Sequence, residues 1–241
     1  KFYIQSFERR LSDRPTDLSL RFELGKAYLL AGPSFLDKSI AQFQQSVKVE
    51  SFNLEDIKID PDKALEHLTM ALRLQPDTAS LRLNLGNYFL GKDLDKAQEH
   101  YAAAVALDAE SEVALNGLAT IAVKRGDDDT AIEHFEQAIA VDTAYGLARA
   151  NYGQLRHRRG QALLAAGKFA AAEPELRHAA ELIPGSAEIH NNLGAALGQQ
   201  RKLREALEHF ARALELDPEY TDARSNLDGV KAMLERQKKQ P

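Results

Sequence analysis

The sequence repeats itself with a period of about 34 residues. An alanine marks each of four copies of the repeat. In three of the four copies, an aromatic residue lies four positions after this alanine. In chain order the marker alanines are Ala97, Ala131, Ala172 and Ala206, and the step from the first to the second equals the step from the third to the fourth. A fixed period of this size, filled with helical patterning, is typical of a stacked helix-turn-helix array.

One unit in the middle of the chain shows the helical pattern most clearly. Apolar residues at helical spacing predict a first helix over 112–125 and a second helix over 130–141. The acidic run 127–129 stands between them. We interpret these carboxylates as a capping supply that favours the start of the second helix, rather than as a metal site.

Small and large side chains alternate on the second helix. Ala131 and Ala138 predict places where two helices approach closely, because a larger side chain would overpack by about 1–3 kcal/mol. Phe135 lies one turn after Ala131 and is expected to fill the wider gap between the same helices.

These residues resemble the tetratricopeptide repeat family. The unit over 187–220 matches the family motif best, at Leu193, Gly194, Leu197, Ala206, Phe210, Ala213 and Pro218. The tryptophan of the motif is absent from every unit. The resemblance implies an all-α fold, a right-handed superhelical solenoid of antiparallel helix pairs with a C-terminal capping helix.

The period is interrupted in places that predict the domain organisation. The step from the second marker alanine to the third is longer than the period, and the seven extra residues are two helical turns. They predict one first helix that is extended and projects ~10 Å beyond its neighbours. The predicted parts are a second helix of a truncated first repeat (1–16), irregular N-terminal repeats (17–76), a regular array (77–220) with the extended helix near 146–166, and a capping helix with a basic tail (221–241).

Composition argues against several classes of function. A net charge of −5 argues against a nucleic-acid partner, which needs a basic surface. The absence of cysteine excludes disulfides and cysteine–zinc sites; it fits the cytoplasm or the periplasm, and we favour the cytoplasm. No apolar run approaches the ~18 residues of a transmembrane segment. Because the chain begins at Lys1, we expect a removed leader or a missing upstream region.

Motifs for catalysis are not found. The sequence has no phosphate-binding loop, dinucleotide fingerprint, zinc-protease motif or nucleophile elbow, so we expect neither an enzyme nor a cofactor. His100, His134 and His209 lie three residues after marker alanines, and His67 follows Ala64 in the same way. Equivalent positions in neighbouring repeats are ~10 Å apart, too far to share a metal ion. We interpret them as solvated repeat positions.

The resemblance also implies that one face of the first helices lines a concave groove. Short amides, which supply both a donor and an acceptor, are dense at those positions and suit the backbone of an extended peptide. Asn84, Asn192 and Asn226 share one repeat position, and Gly117 and Arg158 occupy that position in the two intervening units. The predicted peptide-binding residues are Asn84, Asn87, Asn116, Thr120, Gln154, His157, Arg158, Gln161, Asn191, Asn192 and Asn226.

A cluster of arginines on the extended helix is a second candidate site. It comprises Arg149, Arg156, Arg158 and Arg159. Because arginine pairs bidentately with carboxylates, this acidic-ligand cluster is predicted to bind an acidic segment or a C-terminal carboxylate. The alternative is a solvated charged face on a long helix.

The function that these features favour is a non-catalytic scaffold for protein–protein interaction, with an extended peptide or acidic segment in its groove. The alternative is the substrate-recruiting arm of a larger enzyme such as a glycosyltransferase. Self-association through the open N-terminal repeat is a further hypothesis.

Overall fold

The computed structural model describes residues 78–238 and, before them, positions 9, 10, 12, 13, 65, 68–70, 72 and 73. The predicted helix over 1–16 and the irregular repeats over 17–76 lie almost wholly outside the described residues. Across 78–238 every regular element is an α-helix. The chain divides into two compact units, Lys1–Arg125 and Gly126–Pro241.

The first unit contributes three of these helices. Helix α2 packs against both α1 and α3, and α1 also contacts α3. Asp93 starts α2, because its carboxylate accepts hydrogen bonds from the backbone N–H groups of Asp95 and Lys96. The helices are α1 (Ala79–Phe89), α2 (Leu94–Leu107) and α3 (Glu112–Arg125).

The second unit contains six helices in the described residues. Each packs against the next one along the chain, α5 also contacts α7, and α7 also contacts α9. Short turns join them, so that neighbours run antiparallel, and α5, α7 and α9 are the first helices of successive pairs. The helices are α4 (Asp128–Val141), α5 (Gly146–Ala165), α6 (Phe169–Leu182), α7 (Ala187–Gln199), α8 (Leu203–Leu216) and α9 (Thr221–Lys238).

Helix α4 begins two residues before the predicted second helix over 130–141. Asp127 is its N-cap, and the carboxylate accepts a hydrogen bond from the backbone N–H of Thr130 at 3.2 Å. The hydrogen bonds from Thr130 hold the pKa of Asp127 below its usual value. The first residue of the acidic run is therefore a cap, and the next two lie inside the helix.

In two helix pairs of the second unit, α5 with α6 and α7 with α8, a glycine of the first helix lies against a large side chain of the second helix. A Cβ added at Gly194 would lie 2.8 Å from the ring of Phe210, and one at Gly160 would lie 2.5 Å from Cγ of Leu176. Both distances are too short for carbon atoms in contact. The helices come together at these glycines, and Leu176 takes the place that an aromatic ring holds in the neighbouring pair.

Helix α5 has 20 residues, whereas α4 and α6 have 14 each. Tyr152 lies on the N-terminal part of α5, and its side chain is 1% exposed. Its ring stacks on Phe135 of α4 with centroids 5.7 Å apart, and its hydroxyl donates to Glu136 at 2.6 Å. This part of α5 is thus packed against α4.

Helix α9 covers the end of the hydrophobic core of the second unit. Ala223 and Val230 are buried, and Leu227 and Leu234 pack against the core cluster that contains Phe210. Among the described residues, no helix combines the length and the apolar character that crossing a bilayer requires.

Candidate functional site

A line of hydrogen-bonded polar side chains joins the three first helices of the second unit. On one side of α7, the carboxamide nitrogen of Asn192 lies 2.9 Å from Nε2 of His157 on α5. On the other side, Asn226 of α9 donates to the carboxamide oxygen of Asn191 at 3.0 Å. Asn191 also donates to the hydroxyl of Tyr220 at 3.3 Å. We call these five residues the polar ladder.

The geometry of α7 explains why two adjacent asparagines can serve two neighbours. Successive residues of an α-helix point about 100° apart, so Asn191 and Asn192 face different sides. Asn192 reaches α5, and Asn191 reaches α9. The two asparagines therefore make α7 the central rung of the ladder.

Burial differs along the ladder. Asn191 and His157 are buried, at 6% and 5% exposure, whereas Asn192 and Asn226 are half-buried. The pKa of Tyr220 is raised, chiefly because burial disfavours its phenolate. Asn192, Asn226 and Tyr220 are therefore partly open to a ligand, and the two asparagines are held by the buried His157 and Asn191.

His157 carries a lowered pKa. Burial disfavours its charged form most, and Glu188 on α7 acts in the opposite direction as a smaller effect. The carboxylate of Glu188 also accepts a hydrogen bond from Gln161 at 2.9 Å. A neutral imidazole in the ladder is therefore the stable form near pH 7.

Four predicted peptide-binding residues lie in the first unit, namely Asn84, Asn87, Asn116 and Thr120. The carboxamide oxygen of Asn87 accepts a hydrogen bond from the hydroxyl of Tyr101 at 2.7 Å. Thr120 donates to the backbone carbonyl of Asn116 one turn earlier, at 2.8 Å. Asn116 is buried, and Asn84 is half-buried. Asn87 and Thr120 thus hold contacts within their own repeats.

Two predicted arginines of the acidic-ligand cluster already face carboxylates of α4. A nitrogen of Arg158 lies 2.7 Å from Asp128, and one of Arg159 lies 3.3 Å from Asp129. Arg159 also lies 3.4 Å from Glu175 on α6. The last two residues of the acidic run therefore bridge α4 to α5, a role that the sequence interpretation missed.

The other two arginines of the cluster are also bonded within the unit. Arg156 donates to Glu175 at 3.0 Å and to the hydroxyl of Tyr152 at 2.6 Å. Burial raises the pKa of Tyr152 to about 12, so its hydroxyl stays protonated and donates a hydrogen bond to Glu136. Arg149 donates to the backbone carbonyl of Glu181 at 3.2 Å. Gln154, a predicted peptide-binding residue on α5, is exposed.

The interpretation of two histidines as solvated positions is wrong. His209 is half-buried, and its Nδ1 lies 3.2 Å from Nδ1 of His190 on α7. His100 is half-buried too and lies 3.5 Å from Arg82. Both partners occupy the repeat position that holds tryptophan in the family motif, so polar pairs join the two helices where an indole would pack. His134 is also half-buried and lies 3.3 Å from Gln137.

Tyr220 and Glu188 are polar residues of this region that the repeat pattern does not indicate. A signal for the ladder was present: His157 and Asn192, like Asn191 and Asn226, are 35 residues apart. That spacing is one residue more than the period. A residue at one repeat position therefore bonds to the residue one position further along in the next repeat.

Three protein-family models, each described as tetratricopeptide repeat, match this chain at residues 60–112, 110–185 and 187–220. Superkiller complex protein 3 of Mus musculus is 26% identical over 98% of this chain, which spans only 14% of the length of that protein.

Two solved structures share the fold. YrrB, described as a TPR protein with an unusual peptide-binding site, is 17% identical with a TM-score of 0.56, covering 92% of this chain and 97% of its own. The C-terminal part of a TPR repeat-containing protein from Cytophaga hutchinsonii is also 17% identical, with a TM-score of 0.52, covering 74% and 68%. With the helix pairs seen here, these matches confirm the predicted all-α repeat fold: the chain belongs to the tetratricopeptide repeat family.

Proposed function

We propose that this chain is a protein-interaction scaffold that holds an extended peptide segment against the polar ladder of its second unit. Membership of the tetratricopeptide repeat family supports the role of a scaffold. The peptide-binding site in the description of YrrB supports a peptide as the kind of partner. The ladder itself supports the location.

The observation that carries the proposal is the preformed arrangement of the two half-buried amides of Asn192 and Asn226. Their nitrogens are used inside the ladder, and within residues 78–238 the carboxamide oxygens of Asn192 and Asn226 have no partner. These oxygens can accept hydrogen bonds from backbone N–H groups of a peptide. Because the side chains are already held in place, little conformational entropy is lost when the ligand binds.

The arginine cluster is a less favourable location for the ligand. Arg158, Arg159 and Arg156 are bonded to Asp128, Asp129 and Glu175. An acidic ligand would have to displace these carboxylates or share the arginines with them. We therefore place the peptide on the ladder and keep an acidic ligand as the competing proposal for the cluster.

A peptide array tests the location. Labelled protein is exposed to immobilised peptides of random sequence, and the affinity of the strongest binders is measured for Asn192→Ala, Asn226→Ala and the control Gln199→Ala, an exposed amide on α7 outside the ladder. Loss of one hydrogen bond should weaken binding by about two- to tenfold for each ladder variant. The control should bind like wild type.

The outcome that removes the ladder from consideration is equal binding by all three variants, each with the helical content of wild type by circular dichroism. Loss of binding on charge reversal at Arg158, with unchanged binding by the ladder variants, would move the site to the arginine cluster. The substrate-recruiting arm and self-association through the first repeat stay predictions, and light scattering at several concentrations tests the second.

A further inference from the structure

The bond between His157 and Asn192 requires a neutral imidazole. The carboxamide nitrogen of Asn192 is a donor, and it faces Nε2 of His157 at 2.9 Å. A ring nitrogen can accept only while it carries no proton, so the neutral ring must hold its proton on Nδ1. This contact fixes the tautomer of the histidine and the orientation of the asparagine together.

Protonation of His157 would place two donors face to face. The imidazolium would carry a proton on Nε2, opposite the hydrogens of the Asn192 nitrogen. The contact is restored when the carboxamide turns by about half a revolution, so that its oxygen accepts from the ring. The group that Asn192 presents to a ligand then changes from an acceptor oxygen to a donor nitrogen.

The surroundings of His157 oppose protonation without preventing it. Its side chain is 5% exposed, and burial lowers its pKa below the ordinary 6.5. From α7, Glu188 favours the charged form. The carboxylates of α4 and α6 that contact α5 lie against its arginines: Asp128 against Arg158, Asp129 against Arg159, Glu175 against Arg156 and Arg159, and Glu136 against Arg156.

We propose that His157 is a proton-operated switch that inverts the hydrogen-bonding polarity of Asn192 on the ligand-binding face of the ladder. The inference rests on the proposed function for its consequence, the release of a bound peptide in acid. With a neutral ring, Asn192 accepts from a peptide N–H group. With a charged ring, it offers that N–H group a second donor, and the peptide is repelled at this point.

The other half of the ladder supplies an internal reference. Asn191 is held between the hydroxyl of Tyr220 and the nitrogen of Asn226. The raised pKa of Tyr220 keeps it protonated across the acid and neutral range. The carboxamide signals of Asn191 and Asn226 should therefore stay unchanged while those of Asn192 move.

Nuclear magnetic resonance of the ¹⁵N-labelled protein without any ligand tests the switch. Long-range imidazole spectra at pH 7.5 should show the Nδ1-protonated tautomer of His157. On acidification, the side-chain amide signals of Asn192 should shift with the same midpoint as His157, below 6.5. In His157→Gln, whose side-chain oxygen accepts at every pH, the Asn192 signals should not titrate.

An Nε2-protonated ring at pH 7.5, or Asn192 signals that ignore the titration of His157, would overturn the switch. Binding is measured separately, with the strongest peptide of the array. Its affinity for wild type should fall about tenfold or more between pH 7.5 and the acid side of the His157 midpoint, and the His157→Gln variant should not show this fall. If no array peptide binds the ladder, the proposed function fails while the spectra still decide the switch.

Discussion

Replacing Glu173 by glutamine should destabilise the second unit at neutral pH and not in strong acid. Glu173 lies on α6, and its carboxylate is 14% exposed. It accepts hydrogen bonds from Lys202 at 2.6 Å, from Arg177 at 2.9 Å and from Gln200 at 3.0 Å. Three neighbouring segments are thus tied to one carboxylate: α6 itself, the end of α7 and the start of α8.

The size of the effect follows from the pKa of Glu173. The hydrogen bond from Lys202 is the largest cause that lowers this pKa from 4.5 to about 2. A difference of this size corresponds to about 3 kcal/mol, at 1.36 kcal/mol for each pKa unit. Lys202 and Arg177 are each 42% exposed, so solvent screening reduces the figure, and we expect about 1.5–2 kcal/mol.

The sign of the pH dependence is fixed by the lowered pKa. The folded protein binds the Glu173 proton more weakly than the unfolded chain, so the stabilisation is complete above pH 4.5 and is lost as the pH falls toward about 2. Urea unfolding followed by circular dichroism, and fitted with a nearest-neighbour repeat model, measures the difference between wild type and Glu173→Gln. That difference should be about 1.5–2 kcal/mol at pH 7 and should vanish near pH 2.

Glu133→Gln, an exposed change on α4, is the matched control and should cost less than about 0.5 kcal/mol at either pH. A Glu173→Gln cost that is the same at pH 7 and pH 2 would refute the charge argument. So would a cost at pH 7 as small as that of the control.

Two further predictions concern the packing and the histidine pair of the second unit. Gly160→Ala should lower the free energy of unfolding by about 1–3 kcal/mol, because the added Cβ would lie 2.5 Å from Leu176. The control Gly146→Ala, which has open space around it, should cost nothing measurable. Equal costs of the two variants in urea unfolding would disprove the packing argument. Burial lowers the pKa of both His190 and His209, so their contribution is complete above pH 6.5 and declines as the pH falls below it. The slope of stability against pH between 7 and 5 should flatten in His209→Gln, and an unchanged slope would contradict this.

The contacts of the histidine pair explain its acid sensitivity. Nε2 of His190 donates to the carbonyl oxygen of Pro184 at 3.2 Å, so its Nδ1 must accept from His209. The charged residues near the pair act both ways: Arg212 and Arg177 disfavour protonation, and Glu208 and Glu205 favour it as smaller effects. When both rings are protonated, two donors meet and the bond between α7 and α8 is lost.

The repeat period was enough to predict the helix pairs and their packing residues. Ala131, Phe135 and Ala138 are all buried, as the alternation of small and large residues indicates. These predictions succeed because each depends on one helix face meeting its own repeat, which sequence periodicity reports directly.

The bonds between repeats could not be predicted in the same way. Asp128 meets Arg158, and Asp129 meets Arg159, across 30 residues, while Asn191 meets Asn226 across 35. Neither spacing equals the period, because side chains from adjacent helices meet with an offset set by the crossing of the helices. An alignment of equivalent repeat positions therefore identifies the amides but predicts the wrong hydrogen-bond partners for them. It also predicts no carboxylate partner for the arginines.

The two adjacent asparagines of α7 behave like a divalent monomer in a chain polymer. Asn191 joins the repeat that follows, and Asn192 joins the repeat that precedes. Helix α5 has His157 followed by an arginine that turns to α4, so it acts as an end group. Any repeat with an Asn–Asn pair at this place would lengthen the polar track by one link, and any repeat without it would stop the track. The length of peptide that such a surface can read is then set by the number of consecutive divalent repeats.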